Sequence, residues 1–307
     1  MSIISSLVAQ PNRVIIASEF VHSFGDKGAP IEDLEQMLSP SPPQSNQGDE
    51  DLDLGERGGS TMAKGVLVEM QRLKILEPTE NQHLRLNPAL AVGGRKLDWA
   101  GRLYDYLFPI LCTADKARAH GQDELPDALC WLLRQDPTQP LGFSGGQHYD
   151  ALTAQIVDGD PLFDGIRSDA KYQVMVYWAR YLGLAERLTI KPVAEKVIAD
   201  PTRAIAARLP HLFADERELT MQTFIQRLGV HIPVLDGGQV WNEMEGRLNA
   251  PTQAHDHISQ ATSFALQRLE HAGKIKLEEI SDAGAWELRV GRETKSPSHI
   301  TYLETSK

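Results

Sequence analysis

Cysteine, histidine and aspartate residues at a few places in the sequence are the side chains from which a metal centre could be built. Seven residues lie between Cys112 and His120, and nine between His120 and Cys130. Structural zinc ligands usually come in pairs two to four residues apart, and a fourth ligand is missing here. This spacing favours buried, unreactive thiols over a zinc site.

A second group, His255, Asp256 and His257, is followed by His271 fourteen residues after His257. Side chains two positions apart at the start of a helix point in different directions, whereas a metal site needs ligands that converge. We therefore interpret Asp256 as the N-cap of the following helix.

Three glycine-containing stretches resemble known site motifs only in part. The segment 142–146 places a serine among glycines without the G-x-S-x-G order, and 93–96 lacks the spacing of a phosphate loop. The segment 158–160 offers two calcium-type aspartates without the rest of a calcium loop. We predict turns at all three, and a protein that is not an enzyme and uses no metal or cofactor.

Composition indicates a globular chain with few specialised features. Its 307 residues are 41% hydrophobic and 24% charged, which suits two or three domains. The two cysteines, the absence of a long apolar run and an N-terminus unlike a signal peptide predict a cytoplasmic protein. A net charge of −11 disfavours indiscriminate binding to nucleic acid, so any DNA contact must be local.

The first predicted domain, residues 1–92, carries an acidic insertion at 39–59. Apolar residues at helical spacing predict helices over 13–24 and 31–38, and a third helix that Ser60 caps. A strand around 83–86 follows. Three helices and then a β element are the order of a winged helix, in which the third helix is the recognition helix.

The same order returns in residues 200–295, after a central region, 93–199, that we predict to be helical and irregular. The second domain is predicted to contain helices over 220–228, 239–248 and 257–272, and a hairpin that pairs 274–280 with 285–290. Residues 296–307 would form a tail. The predicted fold is therefore mainly α, with two winged-helix-like domains that have small β wings and flank the central helical region.

Local basic and amide side chains indicate where DNA contact would occur. Residues 60–96 hold six basic and three acidic residues, a balance of +3 within a chain of −11. The candidates in the first domain are Lys64, Gln71, Arg72, Lys74 and Arg85. Those in the second are Gln260, Gln267, Arg268 and Lys274. Charged residues on a solvated helix face are the competing interpretation, since winged helices also serve as protein-docking modules.

Three segments resemble a known family. YWARYLGLA at 177–185, ADPTRAIAARLPHLF at 199–213 and IPVLDGG at 232–238 are similar to the core of DpdG-type proteins. These belong to bacterial gene clusters that insert 7-deazaguanine bases into DNA and restrict unmodified DNA. The resemblance implies a non-enzymatic component of an antiviral modification–restriction system, and it brings no catalytic residues.

Two functions therefore compete. In the first, the chain is a DNA-binding accessory subunit that helps a modification or restriction complex to engage double-stranded DNA. In the second, it is an adaptor whose winged helices hold the other subunits without touching DNA. A stand-alone transcription regulator is a weaker interpretation, because such regulators are smaller and carry symmetric reading heads.

Overall fold

A computed structural model describes residues 7–39, 53–91, 99–156, 160, 165–190, 194–249, 257–280 and 284–303. Within these ranges the chain is mainly helical with small three-stranded sheets, and none of the helices described there is long and apolar enough to cross a membrane. The chain divides into two compact units. The first is Met1–Ile110 with Arg118–Gln122, and the second is Leu111–Ala117 with Asp123–Lys307.

As far as Ala91, the N-terminal unit contains four α-helices and three short strands among its described residues. Its elements are α1 Pro11–Ser23, β1 Ala29–Pro30, α2 Ile31–Leu38, α3 Asp53–Arg72, β2 Leu76–Pro78, β3 His83–Leu86 and α4 Pro88–Ala91. The strands form one antiparallel sheet in the order β1-β3-β2. Pro11 suits the start of α1 because its fixed φ is helical and its missing N–H has no partner there. Val14, Leu34 and Met70 are fully buried in the core of this unit.

Helix α3 begins at Asp53, so the prediction that Ser60 caps it is wrong. The last seven residues of the predicted insertion are helical, while residues 40–52 lie outside the described part of the chain. The acidic composition suggested a loop. Acidic residues do not exclude a helix start, however, because they complement the positive end of the helix dipole.

The chain continues through helices and strands that lie mostly in the second unit. In order they are α5 Trp99–Cys112, α6 Ala114–Ala119, α7 Glu124–Leu133, β4 Leu141–Gly142, α8 Gln147–Gln155, α9 Asp169–Tyr181, β5 Ala185–Ile190, β6 Ala194–Ala199 and α10 Thr202–Phe213. The rest are β7 Glu218–Thr220, α11 Met221–His231, α12 Gln239–Glu245, β8 His257–Ile258, α13 Gln260–His271, β9 Ile275–Glu278, β10 Glu287–Val290, β11 Glu293–Lys295 and β12 His299–Tyr302.

The region 93–199, which was predicted to be helical and irregular, also contains strands, because β4, β5 and β6 form an antiparallel sheet in the order β4-β6-β5. The segments AERLTI and AEKVIA are rich in alanine, glutamate, lysine and leucine, which favour helix. Six paired residues in each strand outweigh that weak local preference.

The predicted hairpin between 274–280 and 285–290 is also wrong. Strand β9 pairs with β12, whereas β10 pairs antiparallel with β11 and parallel with β8. The predicted tail, 296–307, supplies β12, the central strand of the sheet β7-β12-β9. A turn pattern identifies strands that follow each other in sequence, but pairing with a distant strand depends on the whole core.

The same order of elements occurs three times. We call residues 11–86 block 1, residues 124–199 block 2 and residues 202–302 block 3. Each block has a helix, a strand, two further helices and two strands, and in each sheet the last of these strands lies in the centre. Block 3 additionally contains α12 and the sheet β11-β10-β8.

The helices α3, α9 and α13, each of which leads into a strand of its block's three-stranded sheet, end in the same way. One residue in left-handed conformation reverses the chain, namely Lys74 (φ 53°), Gly183 (φ 74°) and Gly273 (φ 66°). The next N–H then donates to the carbonyl five residues earlier, at 2.8, 2.8 and 2.9 Å in Ile75–Met70, Leu184–Ala179 and Lys274–Leu269. This is a Schellman closure, and it leads each helix directly into a strand.

Candidate nucleic-acid interface

Helix α3 presents one exposed stripe between Thr61 and Gln71. Thr61, Lys64, Val68 and Gln71 are exposed, and they recur at spacings of three and four residues. The opposite face, which includes Val66, is buried. Because residues at these spacings share a helix face, α3 offers a continuous surface with polar side chains on either side of Val68.

Lys74 and Arg85 add two cations to this part of block 1. The Lys74 carbonyl accepts hydrogen bonds from Asn87 Nδ2 and Tyr106 Oη, both at 2.9 Å, while its side chain is exposed. The Arg85 side chain on β3 is 45% exposed and lies 3.6 Å from the Glu77 carboxylate. An exposed pair of this kind contributes only about 0–1 kcal/mol, so Arg85 can exchange partners easily.

The Arg72 side chain, unlike that of Lys74, forms an ion pair within α3. Its Nη1 lies 2.6 Å from Oε1 of Glu69, a residue that is 4% exposed. Gln122 Nε2 donates to the other oxygen of Glu69 at 3.3 Å. The guanidinium group therefore neutralises a buried carboxylate, which competes with the phosphate contact predicted for it.

The candidates on α13 in block 3 lie on a largely buried helix. Gln267 is 7% exposed, and its Nε2 has no hydrogen-bond partner among the described residues. Strand β10 packs on α13, and Arg289 N donates to Ser263 Oγ at 3.2 Å. The extra sheet of block 3 thus covers a face that an unobstructed recognition helix would present.

The remaining candidates of block 3 have protein partners or lie beyond the helix. Arg268 forms an ion pair with Asp200, whose side chain is 3% exposed. Gln260, the first residue of α13, can donate its amide to Asp136 at 2.9 Å. Lys274 is exposed after the helix end. In block 2 the corresponding helix, α9, buries most of its apolar side chains, including Trp178.

The two cysteines are buried and free. Burial raises the pKa of the Cys130 thiol to about 12 and raises that of Cys112 as well, although the guanidinium groups of Arg134 and Arg208 oppose the effect. Across the described ranges, no group of three or more histidine, cysteine, aspartate and glutamate residues could hold a metal ion.

The turns that resembled site motifs have structural partners. The amides of Gly145 and Gly146 donate to the Asp169 carboxylate at 2.9 and 3.0 Å. Asp160 accepts two hydrogen bonds from Arg247, at 2.7 and 2.6 Å. The segments 93–96 and 158–159 lie outside the described residues.

Asp256 is not the N-cap of α13, and it too lies outside the described residues. The cap is Ser259, whose Oγ accepts from Thr262 N at 3.2 Å. Behind it, the buried Asp236 carboxylate accepts from Ser259 N, Ser259 Oγ and Thr262 Oγ1, at 2.7, 2.7 and 2.6 Å. Asp236 was not among the predicted site residues, although an aspartate before two glycines is a signal for a fixed turn.

Glycines hold Asp236 in place. Gly229 and Gly238 have no space for a side chain, since an added Cβ would lie 2.2 Å from Gly237 C and from Pro233 O respectively. The segments 199–213 and 232–238 thus contribute Asp200 and Asp236, both of which contact α13. Their role in this structure is to position that helix.

The family model described as DpdG-like matches residues 1–283 of the chain. No curated protein and no solved structure matches it. The match covers most of the sequence, including the three segments on which the resemblance was based, and the chain therefore belongs to the DpdG-like family.

Proposed function

We propose that this chain is a non-catalytic accessory subunit of the Dpd 7-deazaguanine modification system, and that it contacts double-stranded DNA through block 1. In this proposal block 1 is a winged helix, α3 is its recognition helix and the β2–β3 hairpin is its wing. Membership in the DpdG-like family supports a role in the Dpd modification system. The order of elements and the sheet β1-β3-β2 support the winged-helix interpretation of block 1.

The exposed stripe of α3 carries the proposal. Lys64 and Gln71 lie on this stripe. Lys74 follows the end of α3 in sequence, and Arg85 lies on the adjoining β2–β3 hairpin. Lysine and arginine reach phosphates, and a glutamine amide can bond a base edge. Blocks 2 and 3 would then serve as a scaffold, because α9 and α13 are largely buried.

A salt titration with duplex DNA tests this proposal. Three cations, Lys64, Lys74 and Arg85, would neutralise about three phosphates and give a log–log salt slope of about −3. The double variant Lys64→Glu, Lys74→Glu should flatten the slope and weaken binding to all sequences alike. Its control, Lys116→Glu with Arg217→Glu, changes the net charge equally at exposed sites outside block 1 and should keep the slope.

The adaptor function is the second candidate, and Val68 favours it. This apolar residue is 50% exposed in the middle of the α3 stripe, where a protein partner would bury it. The adaptor function predicts no salt slope, and loss of another Dpd subunit from co-purification in Val68→Asp. A wild-type chain that fails to bind duplex DNA even at low salt would refute the DNA proposal and leave the adaptor as the function.

A further inference from the structure

The N-terminal unit contains a pocket of about 210 Å³ that is separate from the α3 stripe. It lies where the end of α1, the end of β3 and the start of α5 come together. The side chains that matter for its chemistry are His22, Asp26, Arg85, Asn87, Trp99 and Arg102. Two arginines and one aspartate give the wall a positive balance.

The aromatic side of the pocket is held by ring contacts. The His22 ring stacks on the Trp99 ring with centroids 4.9 Å apart and an interplanar angle of 15°. The Arg102 guanidinium lies 5.2 Å from the centre of the same indole. A cation over an aromatic face is an attractive arrangement, and it keeps Arg102 oriented at the pocket.

Two hydrogen-bond donors on this wall have no acceptor. Trp99 Nε1 and Arg102 Nε are both buried, and neither finds a partner among the described residues. Most buried donors in proteins are paired, and a ligand acceptor at this pocket would pair two donors that have none among the described residues. An acceptor-rich anion meets this need best, since guanidinium groups bind phosphate oxygens strongly.

The other pocket residues indicate which hydrogen-bonding groups the ligand must carry. Arg85 is available because its pair with Glu77 is long and exposed. Asn87 is already engaged, since its amide donates to Lys74 O and accepts from Ala89 N, both at 2.9 Å. Asp26 is exposed and can accept a hydrogen bond from a ligand donor, which a bare phosphate dianion lacks.

We propose that this pocket binds one nucleotide through its phosphate. Arg85 and Arg102 hold the phosphate oxygens, with Trp99 Nε1 as a further donor, and Asp26 accepts from a sugar hydroxyl or a base amino group. The volume is below the roughly 300–1,000 Å³ of pockets that enclose drug-sized ligands, which limits the occupant to about one nucleotide unit.

The nucleotide has two possible sources, a free nucleotide or the 5′-phosphorylated end of a DNA strand. Both offer the same chemistry to the pocket. Arg85 is also counted among the proposed duplex contacts, but Asp26, Trp99 and Arg102 are not. The inference therefore goes beyond the proposed function, since a nucleotide can bind here whether or not α3 meets a duplex. The Lys64→Glu, Lys74→Glu variant should accordingly retain nucleotide binding.

Calorimetric titration of the full chain with deoxyadenosine 5′-monophosphate tests the proposal. We expect binding that is about tenfold weaker for deoxyadenosine, which lacks the phosphate, and about tenfold weaker in Arg102→Gln. The control Arg118→Gln, at an exposed site outside the pocket, should bind like the wild type. Trp99→Phe, which removes the indole donor and keeps an aromatic ring, provides a second variant if Arg102→Gln has a lowered melting temperature.

A single-stranded oligodeoxyadenylate with and without a 5′-phosphate separates the two sources. If the phosphorylated strand binds about tenfold tighter than the mononucleotide, the ligand is a strand end, whereas equal affinities assign a free nucleotide. The proposal is overturned if the mononucleotide does not bind, if deoxyadenosine binds as well, or if both folded pocket variants bind like the wild type.

Discussion

The Arg72 guanidinium lies 2.6 Å from the carboxylate of Glu69, one helical turn earlier on α3. Glu69 is nearly buried, whereas the Arg72 side chain is 31% exposed. The arginine that the sequence suggested for a phosphate is thus the counter-ion of a carboxylate within its own helix. Replacing Arg72 should therefore lower the stability of the chain, whereas replacing Lys74 should weaken its binding to DNA.

Arg72→Gln should destabilise the chain, because it leaves the buried Glu69 carboxylate without its cation. We expect a loss of about 1–3 kcal/mol in the free energy of unfolding, below the cost for a fully buried pair because Arg72 is partly exposed. Urea titration measures the loss. Adding Glu69→Gln should recover part of it, and a single variant as stable as the wild type would show that the pair contributes nothing.

Asp236→Ala should cost about 3 kcal/mol or more, because three buried donors on Ser259 and Thr262 lose their common acceptor. Thermal unfolding followed by circular dichroism gives the change. Asp215→Ala, at an exposed aspartate, serves as the control and should shift the midpoint little. Equal midpoints for the two variants would contradict the positioning role of Asp236.

Gly183→Ala and Gly273→Ala should differ although both sites are left-handed. An added methyl at Gly273 meets nothing within 4 Å, so only the backbone penalty of about 1–2 kcal/mol applies. At Gly183 the new Cβ would also lie 3.0 Å from Ala204 N and from Arg203 Cβ, so we expect the larger loss there. Chemical denaturation of both variants provides the comparison, and an equal loss would contradict the close packing at Gly183.

Stability should fall as the pH drops below about 6.5, in part because of His148. Burial lowers the pKa of this fully buried imidazole, outweighing its hydrogen bond to Ile166 O and the charge of Asp169. The unfolded chain therefore binds the proton first, and each pH unit between the unfolded and folded pKa values removes up to about 1.4 kcal/mol.

His148→Gln should flatten this dependence, which unfolding titrations at pH 7.5, 6.5 and 5.5 would reveal. Burial also lowers the pKa of His231, so a smaller slope should remain. Ala154→Gln, at an exposed site on the same helix, should leave the wild-type slope unchanged. The explanation fails if His148→Gln keeps that slope as well.

Much of the helical architecture could be predicted from the sequence. Apolar spacing located α1 and α2 to within two residues, and Gly273 marked the end of α13, because these signals act within one or two helical turns. The resemblance carried by three short segments likewise agreed with the family to which the chain belongs.

Strand partners and the exposure of side chains depended on the tertiary structure. The sequence could not predict that β12 would lie between β7 and β9, because such pairing is set by residues far apart in the chain. Nor could it distinguish Lys64 from Gln267, since both occupy helix positions that looked suitable for DNA contact. Packing of β10 on α13 leaves Gln267 7% exposed while Lys64 stays exposed, and burial by a distant segment has no local sequence signal.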